Sequence, residues 1–166
     1  MLKFNNNELY VDCEWTLDQK IFLIGINKNK NTYQLYDYYL TKNNFLRTLK
    51  NIKYIYFFGP DIKMLEKFFK INLRNKYICI NLIKILHDKI KLKSYKLLNI
   101  EKHFGIIRKN YIYKVNIFRL FRDWKIPKYK KFVLKYNYDD VQNLFLIKEK
   151  IFSKYKITTE YLKEIQ

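Results

Sequence analysis

Two acids stand one residue apart near the start of the chain, Asp12 and Glu14 in Leu9-Tyr10-Val11-Asp12-Cys13-Glu14. Residues i and i+2 of a strand project from the same face, so the two carboxylates point together. A buried strand face does not carry two like charges unless something neutralises them, and a divalent cation would. The other possibility is an edge strand with that face in water, and the spacing alone does not choose between them. Asp140 lies in Tyr136-Asn137-Tyr138-Asp139-Asp140-Val141. Positions i and i+4 share a helix face, which puts Tyr136 one turn before Asp140. Their neighbours at helical spacing, Val133, Leu144 and Ile147, are apolar. Asp140 is therefore expected to point inward, with Asp139 about 100° around the helix and solvated. Tyr136 by itself reads equally as a core aromatic, being one of sixteen tyrosines. Asp61 follows an apolar strand at its C-terminal end, where ligands of open α/β sheets gather. It also suits a helix N-terminus, where the macrodipole favours an acid. Glu66, five residues on, reads as a surface residue of that helix.

The elements that must position these groups follow from periodicity and turn chemistry. Glu8 to Glu14, Lys20 to Asn27 and Thr32 to Tyr39 read as strands, the last two joined by a turn at Asn29-Lys30-Asn31, and together as an antiparallel meander. Asn43 to Lys50 reads as a helix capped by Asn43 or Asn44. Ile52 to Phe58 is a strand apolar on both faces, ended by Gly59-Pro60-Asp61, which opens a helix with Ile62, Leu65, Phe68 and Phe69 on one stripe. Tyr77 to Ile80 is a short further strand. Helices follow at Leu82 to Leu86, at Tyr95 to Phe104 (capped by Ser94, ended by Gly105), at Val115 to Trp124 and from Pro127 to about Tyr155. Thr158 or Thr159 caps a last short helix. Strands first, then interleaved and trailing helices, imply a mixed sheet covered by helices in a layered α/β domain.

The length suits one domain over residues 1–166, and nearly half the residues are apolar, as in a globular protein. A formal charge of +19 marks a protein that phosphate backbones attract from every side. Heavy use of Lys, Asn, Ile and Tyr also fits an AT-rich genome, so part of that charge reads as a solvated lysine surface. Cys13 and Cys79 have neither CxxC nor Cys/His spacing, which offers no zinc site or disulfide framework and fits a reduced, cytoplasmic protein. No apolar run is long enough to cross a bilayer, and the first residues carry no signal-peptide core, so no membrane partner is expected. His87 and His103 lack the partners of a nucleophilic pair and read as structural or surface residues. Lys93, Lys96, Lys102, Arg108 and Lys109 form one basic stretch and Lys125 to Lys131 another. Either suits a phosphate backbone, with Tyr95 or Tyr129 stacking on unpaired bases, and either also reads as a solvated face.

Taken in order, an Asp-x-Glu in the first strand, an Asp after the fourth and Tyr-x-x-x-Asp in the last main helix resemble the DEDD exonucleases, the DnaQ-like group of the RNase H-like superfamily. Tyr136 four residues before Asp140 resembles the tyrosine form, DEDDy; the histidine form would need His at position 135, which is Lys135. Within the group the chain looks most like the YprB-like ribonuclease H-like domains. The stretch from Leu92 to Arg108 resembles their S-Y-x-L-x-x-L-E-x-x-L-G-I-x-R helix, and Tyr136-Asn137-x-x-Asp140-Val141 resembles their Y-N-x-x-D-V. The likeness runs from about Leu9 to Ile151. Two departures stand out: Phe57-Phe58-Gly59-Pro60-Asp61 lacks the Asn usual before the second-motif Asp, and Asn81-Leu82 stands where Asp-Leu is usual.

The resemblance implies an RNase H-like mixed sheet, its first three strands antiparallel and its faces flanked by helices. It implies a 3′–5′ exonuclease that binds the single-stranded 3′ end of DNA or RNA and releases nucleoside 5′-monophosphates. It further implies two Mg²⁺ or Mn²⁺ ions about 4 Å apart, held by Asp12, Glu14, Asp61 and Asp140, hard oxygen ligands for hard cations. In that scheme Asp12 bridges the ions, Glu14 and Asp140 complete the site that activates water, Asp61 serves the second ion, and Tyr136 orients the water. Two other readings stand beside it: a non-catalytic nucleic-acid-binding module on the same fold, and a structure-specific endonuclease. DNA and RNA stay open, because contacts to the 2′-OH decide between them. Geometrically, the carboxylates of Asp12, Glu14 and Asp140 are expected close enough to share a metal ion.

Overall fold

A computed structural model of the protein describes residues 6–108 and 112–165. Three antiparallel strands come first, β1 (Glu8–Trp15), β2 (Ile21–Lys28) and β3 (Asn31–Tyr36). Between β2 and β3, Asn29 and Lys30 both take positive φ (53° and 69°), the pair of left-handed residues that a tight hairpin needs to match strand twist. The chain then forms α1 (Lys42–Thr48), β4 (Tyr54–Phe57), α2 (Asp61–Phe69), β5 (Ile78–Asn81), α3 (Leu82–Lys89) and α4 (Leu97–His103). It ends in α5 (Ile112–Val115), α6 (Ile117–Trp124), the 29-residue α7 (Pro127–Tyr155) and α8 (Thr159–Glu164). The sheet order is β3-β2-β1-β4-β5, with β1–β4 and β4–β5 parallel. This is the expected mixed α/β sheet, with its first three strands antiparallel.

Alternation along β1 builds two layers. Leu9, Val11 and Cys13 face a core completed by Phe45 of α1 and by Ile62, Met64, Leu65 and Phe69 of α2. Tyr10 faces the other way, into a core with Leu82, Ile85, Ile100, Val141, Leu144 and Ile151 from α3, α4 and α7. Asp12 and Glu14 continue the Tyr10 face. The parallel pairing of β1 with β4 ends at Tyr10↔Tyr56, so β1 carries both acids past the end of its neighbour. The crevice beyond the C-terminal end of β4 is where they emerge.

Several local expectations shift. The third strand stops at Tyr36, where Asp37 takes φ +49° and starts one turn of 3₁₀ helix through Tyr39. Helix α1 is capped by Thr41, whose hydroxyl accepts from Asn44 N–H at 3.2 Å, not by Asn43 or Asn44. Helix α4 begins at Leu97, two residues late, because the Tyr95 hydroxyl donates to the Ile90 carbonyl (2.6 Å) and its ring stacks on His87. Tyr95 is thereby removed as a stacking platform for bases. The helix expected from Val115 to Trp124 is two: Asn116 breaks it and caps α6 by accepting from Arg119 N–H (3.2 Å). Gly105 ends the α4 segment with φ +67°, as expected.

The long helix α7 crosses the Tyr10 face of the sheet unusually closely, and Gly25 of β2 permits it. A Cβ at that position would lie 2.3 Å from Asn137 Oδ1 and 2.5 Å from Val141 Cγ2. Gly25 is the register partner of Asp12. Gly25→Ala should therefore destabilise the fold by about 1–3 kcal/mol through overpacking, read as a lower midpoint in urea with an unchanged slope. Wild-type stability in that variant would mean that α7 is not held against β2.

Candidate metal centre

Strand β1 and helix α7 bring three acids together. One carboxylate oxygen from each of Asp12, Glu14 and Asp140 lies within 4.8 Å of the others, the geometry expected of groups that share a metal ion. Two full negative charges at that spacing repel by roughly 3–4 kcal/mol at an effective dielectric near 20. Asp61, at the first position of α2, lines the same cleft of about 430 Å³, as does Tyr136. Its Oδ1 accepts from Cys13 N–H at 3.3 Å, while its Oδ2 is buried with no protein partner. An orphaned, buried carboxylate oxygen beside three converging carboxylates is a donor set that fits a hard divalent cation.

Three of the four acids are held by the elements around them. Asn137, fully buried in α7, donates to Asp12 Oδ2 at 2.8 Å, and Gln34 of β3 fixes the same amide by donating to its Oδ1 at 3.0 Å. Asp61 is placed by the turn before it. There Asn81 accepts from Gly59 N–H (3.1 Å) and donates to the Gly59 carbonyl (3.0 Å), holding the peptide at φ +94°. An aspartate at position 81 could accept but not donate, so the departure noted in the sequence is used as an amide clamp. Asp140 is gripped at both oxygens. Arg108 donates to Oδ1, and the Lys114 ammonium lies 2.8 Å from Oδ2. Arg108 is itself buried and doubly paired with Glu101, onto which Asn143 donates at 2.8 Å.

The electrostatics follow from this crowding. Burial, then the Asp140 charge, push the Asp12 carboxyl up to about 7, against the pull of Lys114, Asn137 and Arg108. Burial and the Asp12 and Asp140 charges hold Glu14 well above the usual carboxylate range. Burial and Asp12 do the same to Asp61, against its backbone donors. The Tyr136 phenol is raised by burial and by Asp140, Glu14 and Asp12, so near neutral pH it is a hydrogen-bond donor. Burial works against the Lys114 ammonium, but Asp140 and Asp12 outweigh it and keep it charged.

All five residues expected to carry chemistry, Asp12, Glu14, Asp61, Tyr136 and Asp140, thus meet in one cleft. Asp139 stays on the outer side of α7, paired with Lys135 at 2.6 Å. Glu66 pairs with Arg74 and accepts from Leu73 N–H, outside the site. One expectation is corrected: Arg108 does not belong to a phosphate-tracking stretch, because it is buried under Asp140. Lys109, the next member of that stretch, lies outside the described residues. Sequence reasoning missed the roles of Asn137, Glu101 and Arg108, although all three fall inside the quoted family-like motifs. Nothing in the local sequence singles out Lys114 from its many fellow lysines.

Residues 9–152 match the model of a family described as the RNase H superfamily. Among solved structures, the fold is similar to the catalytic core of RRP6 from Trypanosoma brucei, with TM-score 0.69 and 17% identity. That likeness covers 96% of this chain and 45% of the other, so the chain spans under half the length of that structure. Comparison with curated protein sequences finds no match.

A pH dependence follows from the raised carboxyls. The unfolded chain releases the Asp12 proton near pH 4, whereas the folded site keeps it to about 7. Between those values the folded state binds more protons, so stability falls as the pH rises through the window. In chelator, thermal unfolding should therefore occur at a higher temperature at pH 5 than at pH 8. Asp12→Asn should flatten that slope, and a wild-type slope in the variant would remove Asp12 from the coupled cluster.

Proposed function

The chain belongs to the RNase H superfamily, and we propose that it works within it as a divalent-metal-dependent nuclease, a 3′–5′ exonuclease of the DEDDy kind resembling the YprB-like domains. The observation that carries this reading is the convergence of Asp12, Glu14 and Asp140 within 4.8 Å. Asp61 and Tyr136 in the same cleft support it. Bound Mg²⁺ or Mn²⁺ would supply charge for the attacking water and for the leaving 3′ oxygen, with Asp12, Glu14, Asp140 and Asp61 as ligands.

The protein's own contribution is placement. Asn137 fixes Asp12, Arg108 fixes Asp140, and Asn81 fixes the turn that delivers Asp61. Tyr136, protonated and one helical turn from Asp140, is suited to donate a hydrogen bond to the water and align it for in-line attack on phosphorus. Phe58, Leu97, Ile117 and Phe121 give the cleft apolar walls suited to the base and sugar of a terminal nucleotide. Water adds to the phosphorus, the P–O3′ bond breaks, and the products are a nucleoside 5′-monophosphate and a strand with a new 3′-hydroxyl.

The direct test uses 5′-labelled single-stranded DNA and RNA with Mg²⁺ or Mn²⁺. A ladder shortening from the 3′ end, with release of 5′-mononucleotides, is expected, and circular single strands should survive. Cut circles would assign an endonuclease, and binding without cleavage a non-catalytic module. Asp12→Asn preserves the acceptor for Asn137 and should lower cleavage by more than about a thousandfold. Tyr136→Phe should slow single-turnover cleavage roughly ten- to a thousandfold with an unchanged melting temperature. Wild-type rates in that variant would return Tyr136 to a packing role.

A further inference from the structure

Arg108 occupies Asp140 Oδ1, which leaves Oδ2 as the oxygen open to a metal ion at this site, and Oδ2 already holds a cation. The Lys114 ammonium lies 2.8 Å from it, with the side chain 14% exposed. Among the described residues lining the cleft, Lys114 is the one cation facing Asp12, Glu14, Asp61 and Asp140. Its Nζ also lies 5.1 Å from the centre of the Tyr136 ring, over the ring's negative face. Lys114 therefore sits at the junction of the acids and the tyrosine.

The two cations on Asp140 are built differently. Arg108 is buried, its planar fork is committed to Glu101, and the charge of that carboxylate compensates it. It cannot leave without stranding two buried acids, so it orients Asp140 permanently. Lys114 has no such second carboxylate among its described hydrogen bonds and ion pairs, and its flexible stem rises from the four-residue helix α5. The cleft gives its ammonium a route to solvent. A carboxylate oxygen with a fixed partner on one side and a releasable one on the other is oriented and exchangeable at once.

We propose that Lys114 is a tethered counter-ion of the acid cluster, seated on Asp140 and displaced from it when a divalent ion binds, so that it sets the threshold concentration for metal loading. This rests on the reading of the four acids as metal ligands. It adds that the apparent affinity for metal includes the cost of expelling an ammonium from the same oxygen. The exchange breaks no covalent bond. Lys114 stays charged and moves from Asp140 to water or to the phosphate of a bound strand.

The test is Mn²⁺ binding to the full chain, measured by calorimetry or by the loss of the free-ion electron paramagnetic resonance signal. Lys114→Met should bind Mn²⁺ about ten- to a hundredfold more tightly than wild type, the loss of one charge-assisted bond from the competing state. In chelator the same variant should melt lower, since the acids lose a counter-ion. Lys114→Arg, which keeps a cation in place, should return the affinity towards wild type. Lys114→Gln is the second variant should the methionine form not fold, and it should also bind more tightly. Unchanged or weaker Mn²⁺ binding in folded Met or Gln variants, with wild type binding normally, overturns the counter-ion and leaves the metal site standing. Absence of Mn²⁺ binding in wild type and variants alike overturns both.

Discussion

Repulsion among four carboxylates around one cleft is the constraint that the surrounding structure has to meet. Five of the fifteen acids of the chain, Asp12, Glu14, Asp61, Asp140 and Glu101, fall in this one network. Glu8 supplies the contrast. It lies on the same face of β1, buried, and is answered in full by the protein, with Lys148 Nζ at 3.2 Å and the Tyr10 hydroxyl at 2.8 Å. Its charge is structural. Asp12 receives the Asn137 amide, Asp12 and Glu14 share the Lys114 ammonium seated on Asp140, and the carboxyls respond by holding protons beyond their usual range. A site left under-compensated in this way costs stability, and such deficits cluster at functional sites.

The same constraint explains why α7 is both the core of one layer and a wall of the site. Its Val141, Leu144 and Ile151 are buried among the apolar residues of α3 and α4, while Asn137 and Asp140 take the turns between. For those polar turns to reach β1, the helix must pass over β2 at a distance that leaves no room for a side chain at Gly25. Site geometry and packing are thus set by one contact. A helix displaced by an ångström would lose the Asn137–Asp12 hydrogen bond and the Asp140 approach together.

The fold was legible in the sequence where hydrophobic alternation and turn chemistry agree, as in β1, β2 and the Asn29-Lys30 turn. It was less legible where a single side chain overrides the local pattern. Tyr95 leaves its helix for the Ile90 carbonyl, and Asn116 divides a continuous helical pattern by capping. Of the site, the acids and Tyr136 could be read because strand and helix periods decide which residues share a face. The fourth acid was ambiguous because a ligand and a helix-terminal acid look alike in sequence, and its place in the cleft and orphaned Oδ2 favour the ligand reading. Arg108 was misread as surface charge because burial of a cation depends on partners distant in the chain. Glu101 and Asp140 supply them, and no local pattern announces that pairing.

The overall charge and the cleft pull a polynucleotide in opposite ways. At +19, the protein draws phosphate backbones to its surface from any direction, and salt weakens that attraction. Inside the cleft, the scissile phosphate would meet four carboxylates and one ammonium, a negative field in a region where burial makes screening poor. The surface can gather a polynucleotide, while the acids of the cleft repel its phosphates. If the cleft is the nuclease site proposed above, a phosphate would enter it with positive charge added at Asp12, Glu14, Asp61 and Asp140, before the phosphate or together with it. On the proposed reading, strand binding at the surface and strand engagement at the acids would be separable events, the first governed by ionic strength and the second by divalent cation.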